Sequence, residues 1–198
     1  MVVEIVLVRH ASTAWSGVRY CGRSDPPLSP VGLAEAAALA ERLAPSIRPG
    51  TRLISSPSRR AVATAAAIAD ACGGMTIERD ERWLEVDFGL AEGQTFEQLQ
   101  VTSTATAAAL SGGLMDVDWP GGETASSLAA RVAAAWDELV AADRPAVVVT
   151  HAGPIIHALA FAGERRPDVS DLLGPADAAR VTVAAPRASG SPVLPSGT

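Results

Sequence analysis

A chain of 198 residues, 48% hydrophobic and 19% charged, is too apolar to stay disordered and long enough to bury one core without disulfide or metal staples. Lys and Arg number 16 against 22 Asp and Glu, a net charge of −6 that repels polyphosphate backbones and speaks against a nucleic-acid partner. Cys21 and Cys72 form no C-x-x-C pair and read as free thiols, and no apolar run is long enough for a bilayer, so a cytoplasmic protein without membrane contact is expected.

The N-terminal run Val2–Val8 lacks a basic leader and is cut by Arg9, which fits a strand rather than a signal peptide. Ser29 followed by Pro30 is an N-cap signal, and Leu33, Ala36, Leu39, Ala40 and Leu43 supply an apolar stripe up to Pro45. Arg52–Ser55 is a short second strand. Ser58 to Cys72 reads as a helix stopped by Gly73-Gly74. Phe96–Leu110 reads as one helix, weakened by Thr102, Ser103, Thr104 and Thr106.

Thr124 caps a helix reaching about Ala142, Ala146–Thr150 is a β-branched strand, and Pro154 starts a helix through Ala162. Val181–Ala184 is a late strand. Residues 1–185 form one domain in this reading, and 186–198 a Pro/Ser/Gly-rich tail. Continuous apolar strands alternating with helices imply an α/β fold whose central sheet is mostly parallel.

Two of the three histidines stand just beyond strands: His10 after IVLVR and His151 after AVVVT. The strand RLIS also runs into SSPSRRA, delivering Arg59 and Arg60 at a helix start. In a parallel sheet such carboxyl ends line one crevice. An acidic chain that gathers Arg9, His10, an arginine and His151 there is built to hold an anion, and neutral imidazole is a competent phosphoryl acceptor near pH 7. The departing alkoxide then needs an acid. Glu85, Asp87, Glu92 and Glu123 are the options, and Glu85 has the apolar-aromatic surroundings that raise a carboxyl pKa. His157, mid-helix, reads as a packed or surface residue.

The segments VRHASTAW, SSPSRRAVATA, WLEVDFGLAEG, WPGGET and VTHAG, in that order, resemble the histidine phosphatase superfamily, the phosphoglycerate mutase-like family. The resemblance implies a three-layer α/β/α sandwich and a covalent phosphohistidine intermediate, with no metal and no cofactor. By the same resemblance His10 matches the nucleophile, Arg9, Arg60 and His151 the phosphate-binding groups, and Glu85 the proton donor. Ser16, Cys21, Gly22 and Ala152 match substrate-contacting positions. The chain departs from the family pattern at Ala11, Ser12 and Ser16, where Gly, an acidic or amide residue, and Asn are usual.

The expected activity is hydrolysis of a small phosphorylated metabolite by a monomer or homodimer. A phosphoglycerate mutase, a His₂-carboxylate metal hydrolase and a non-catalytic phosphate-binding module are the rivals. Two features favour hydrolysis over mutase chemistry: the stretch from Leu90 to Pro120 has few basic residues to grip a second carboxylate or phosphate, and WPGGET resembles the small phosphatases. P-loop, Cys-x₅-Arg and G-x-S-x-G signatures are missing from the sequence, and Asp116-Val117-Asp118 reads as a loop.

Overall fold

A computed structural model describes residues 2–112, 116–163 and 173–184. Five strands, β1 (Val2–Arg9), β2 (Arg52–Ser55), β3 (Ile77–Arg79), β4 (Ala146–Thr150) and β5 (Ala178–Ala184), form one sheet in the order β3-β2-β4-β1-β5. The first four are mutually parallel and β5 runs antiparallel to β1. The mostly parallel sheet expected from the apolar runs is therefore present.

Alternation along the strands divides the interior into two cores. Ile5 and Leu7 of β1 and Val148 of β4 face Trp83, Val132, Trp136 and Ile155. Val6 and Val8 of β1, with Val147 and Val149 of β4, face Leu39, Leu43, Ala65 and Ile68. Helices α1 (Pro30–Leu43) and α2 (Arg59–Ala71) cover the second face, and α5 (Ala125–Ala141) and α6 (Ala152–Phe161) the first. Strands buried on both sides need no polar positions, which is why the sequence shows unbroken runs.

Capping follows the residues. The Ser29 hydroxyl accepts from the Gly32 amide ahead of α1, and the Thr124 hydroxyl from the Ser127 amide ahead of α5. Three boundaries differ from the sequence reading. The helix expected over Phe96–Leu110 is two, α3 (Phe96–Thr102) and α4 (Thr104–Gly112), broken at Ser103, where φ is −151°. Thr102 and Thr104 donate their hydroxyls back to the carbonyls of Gln98 and Gln100, the competition with the backbone that weakens Thr-rich helices. Helix α6 begins at Ala152 rather than Pro154; the proline still sits in the first turn, where its missing N–H has no partner to lose. Strand β5 starts at Ala178, three residues before the apolar signal, because pairing with β1 rather than burial defines it. The expected tail, 186–198, lies outside the described residues.

Candidate active site

The carboxyl ends of β1, β2 and β4 lie side by side, with Arg9 level with Thr150 and Ser55 with Val149. This register brings His10, Ser56 and His151 to one edge. The His10 amide donates to the Thr150 carbonyl (3.0 Å), fixing the backbone at the end of β1. The His10 Nδ1 lies 2.8 Å from the Ala11 carbonyl, which only an Nδ1–H can bond. Its Nε2 therefore carries the lone pair, and the Arg60 Nε–H points at it from 3.3 Å. Burial first, and then the Arg60 charge, push the His10 pKa down to about 3. The ring is neutral across the physiological range.

Arg60, on the first turn of α2, is fully buried, whereas Arg59 is exposed. Of the adjacent pair, Arg60 is therefore the one that enters the cluster. Besides His10, its guanidinium donates to His151 Nδ1 (3.3 Å) and to the carbonyls of Cys21 (3.2 Å), Gly22 (2.9 Å) and Ser24 (2.7 Å). Because a guanidinium only donates, His151 Nδ1 is the acceptor and its Nε2–H is free to bond the Ser56 hydroxyl at 2.8 Å. The two imidazole rings stand 5.0 Å apart, and burial, reinforced by His10 and Arg60, holds the His151 pKa well below its usual value. Arg9 donates through Nη1 to the Leu173 carbonyl (2.6 Å), while its buried Nε has no partner among the described residues. Such an unsatisfied donor inside a cationic cluster suits an anion.

Glu85 enters from a loop between β3 and α3. Trp83, buried beneath that loop, accepts the Thr150 hydroxyl at its carbonyl (2.6 Å). Arg131 of α5 clamps the rest, donating to the carbonyls of Arg82, Leu84 and Glu85 while it pairs with the Glu123 carboxylate at 2.7 Å. The Glu85 Oε1 accepts the Val86 (2.9 Å) and Gly153 (3.1 Å) amides. Burial nevertheless wins over these amides and the nearby Arg60 and Arg9, raising the Glu85 pKa. A Cβ at Gly153 would lie 2.6 Å from Glu85 Oε1 and 2.7 Å from Val86 Cγ2. Gly153→Ala is expected to displace the carboxyl and cut kcat at least about tenfold while the protein stays folded, as steady-state kinetics beside a melting curve would register; wild-type kcat would show that Glu85 tolerates the shift.

A cavity of about 160 Å³ opens onto this cluster and is lined by Arg9, His10, Ser16, Cys21, Glu85 and Ala152, among others. The Ser16 hydroxyl also accepts the Thr13 amide (2.9 Å). Gly22 is held at both ends of its peptide: its carbonyl by Arg60 and its amide by the Glu92 carboxylate, which also takes the amides of Arg23 and Ser24. A Cβ there would meet the Val86 carbonyl at 2.0 Å, so this loop requires glycine. The other acids considered serve elsewhere, Asp87 accepting the Gly89 amide and Glu123 pairing with Arg131.

Three residues have places in the structure that the sequence did not assign them. Arg131 and Glu92 hold the two loops through backbone groups, which leave no side-chain pattern. His157 is 3% exposed, with neither ring nitrogen partnered among the described residues, and it lines a second cavity of about 120 Å³; its lone polar place in the run AGPIIHALAF was the available signal.

The model of the histidine phosphatase superfamily (branch 1) matches residues 5–192. A probable phosphoglycerate mutase GpmB of Yersinia pestis (strain Pestoides F) is 33% identical over 150 residues, 74% of this chain and 68% of that protein. Among solved structures, a mycobacterial glucosyl-3-phosphoglycerate phosphatase aligns with a TM-score of 0.79 at 27% identity, covering 92% of this chain and 91% of that one. The protein TTHB049 from Thermus thermophilus aligns with a TM-score of 0.71 at 30% identity, over 90% and 93% of the two chains. With paired histidines and a buried arginine at the sheet's carboxyl edge and a family match over nearly its whole length, the chain belongs to branch 1 of the histidine phosphatase superfamily.

Proposed function

We propose that the protein is a phosphomonoester hydrolase that passes the phosphoryl group of a small phosphorylated metabolite through His10 to water. The observation that carries this reading is the state of His10: a neutral ring, its Nδ1–H engaged by Ala11, its Nε2 lone pair turned toward Arg60. The Nε2 lone pair attacks phosphorus and the P–O ester bond breaks. Arg9, Arg60 and His151 stabilise the charge spread over the equatorial oxygens. Glu85, protonated by virtue of its raised pKa, gives its proton to the departing oxygen. The resulting carboxylate then takes a proton from water as that water attacks the phosphohistidine, which returns His10 neutral, Glu85 protonated and phosphate free.

Hydrolysis is favoured over mutase chemistry by what lies past Glu85. The adjoining cavity is walled by Tyr20, Phe88, Trp119, Leu128 and Ile156, and no Lys or Arg among the described residues lines it to grip a second phosphate or a carboxylate. The name of the Yersinia relative supports the mutase alternative. Phosphate release from p-nitrophenyl phosphate, set beside conversion of 3-phosphoglycerate to 2-phosphoglycerate, decides between them; isomerisation that outpaces phosphate release would overturn the proposal. A dication between the imidazoles would face the Arg60 guanidinium at hydrogen-bond range from both rings, so EDTA is expected to leave activity intact.

Glu85 and His10 fix the expected pH profile. As pH falls toward 3, His10 takes a proton and loses its nucleophilic lone pair, giving an acid limb. As pH rises through the elevated Glu85 pKa, the acid form is lost, giving an alkaline limb with alkyl phosphates. In kcat/KM, which reports only the steps up to departure of the alcohol, Glu85→Gln should remove the alkaline limb and lower alkyl phosphates by about 10²-fold or more, but lower p-nitrophenyl phosphate far less, because that leaving group departs as an anion. An equal loss of kcat/KM for both substrates would remove Glu85 as the acid for the departing oxygen.

A further inference from the structure

We propose that the second cavity seats the alcohol half of the substrate, and that it selects a flat apolar ring bearing one uncharged hydrogen-bonding group that meets His157. The inference rests on the hydrolase reading above and names the substrate class for it.

Position comes first. The cavity of about 120 Å³ and the phosphoryl cavity share Tyr20, Glu85, Phe88 and Ala152 in their walls. Glu85 thus stands at the junction. The proton it releases goes to the bridging ester oxygen, the one atom with phosphorus on one side and carbon on the other. With phosphorus against His10, the carbon side enters the second cavity.

Its walls define what fits there. Tyr20, Phe88 and Trp119 pack against one another, mostly edge to face, with ring centroids 4.6 to 5.4 Å apart, and leave aromatic surface toward the cavity. Val86, Leu128 and Ile156 complete the apolar lining. The volume matches one ring, since cavities of roughly 150 Å³ lined by such residues hold benzene. An anionic alcohol such as a glycerate meets neither Lys nor Arg along these walls among the described residues.

His157 supplies the specificity. Both of its ring nitrogens are buried without a partner among the described residues, an arrangement that native interiors rarely tolerate. The other buried residues of α6 are Pro154, Ile155, Ile156, Ala158 and Leu159, so a leucine at 157 would suit the helix better and avoid the desolvation cost. Burial and the Arg131 charge keep the ring neutral, which leaves it one donor and one acceptor for a ligand hydroxyl or amide.

Two measurements test this. Inhibition by phenylphosphonate and methylphosphonate involves no leaving group, and phenylphosphonate is expected to bind about tenfold more tightly. Equal affinity would overturn the cavity assignment even if phosphomonoesters are hydrolysed, whereas a phenyl preference without any ester hydrolysis would instead sink the hydrolase reading. For His157, kcat/KM is compared between phenyl phosphate and its 3- and 4-hydroxy derivatives, whose leaving groups are of similar acidity. The better hydroxy ester should lead by about tenfold. His157→Leu should bring that ratio below about two, and His157→Gln, which keeps a donor and an acceptor, should restore part of it. A ratio near one in the wild type, or one indifferent to His157→Leu, would refute the role; should the leucine variant fail to fold, the wild-type and glutamine ratios decide alone.

Discussion

His10→Ala is expected to lower turnover by about 10⁴-fold or more while vanadate still binds within about tenfold of the wild-type affinity. The separation follows from the proposed mechanism, in which the ring contributes the attacking lone pair while Arg9, Arg60 and His151 also hold the anion. A phosphorylated protein trapped by rapid quench in the wild type should be missing from the variant. Normal turnover in His10→Ala would remove the nucleophile from the proposal altogether.

Arg60→Ala is expected to have the next largest effect, and of a different kind. Its guanidinium touches both histidines and three carbonyls of the loop from Cys21 to Ser24. Removal should cost about 10³-fold in kcat/KM, weaken phosphate analogues, and lower the melting temperature as the carbonyls lose their donor. Arg60→Lys keeps the charge but not the fork, and should rescue little. Arg59→Ala, its side chain in solvent, should behave as wild type. The opposite order between the two arginines would mean that the wrong one had been placed in the site.

The sheet was legible because a strand buried on both faces is apolar along its length, a signature clear in β4 and in Ile5–Val8 of β1 and reduced to Leu53 and Ile54 in β2. Ser29 and Thr124 marked helix starts for an equally local reason, since each hydroxyl satisfies an amide of the first turn. The meeting of His10 and His151 was legible because they stand immediately after apolar runs, where topology alone brings them together. Arg131 and Glu92 were not, since they act on carbonyls and amides that every residue possesses. The break at Ser103 depends on whether threonine hydroxyls turn back on their own helix, a choice made by local rotamers. His157 is packed, one of the two places its sequence allowed, but its ring nitrogens' lack of partners among the described residues was not readable. Burial of a histidine is readable from its apolar neighbours, but whether its nitrogens find partners depends on the distant Tyr20, Phe88 and Trp119.

The antiparallel strand β5 carries a consequence for biosynthesis. The segment leading into it gives Arg9 its Leu173 carbonyl, receives the Arg9 amide at Asp177, and gives the His10 carbonyl the Ala176 amide. Arg9 is thus locked by a carbonyl made 164 positions later in the chain. A nascent polypeptide that has not yet exposed Leu173–Ala184 holds His10 on a strand whose edge is bare, so products cut short before this segment should be inert and prone to aggregate.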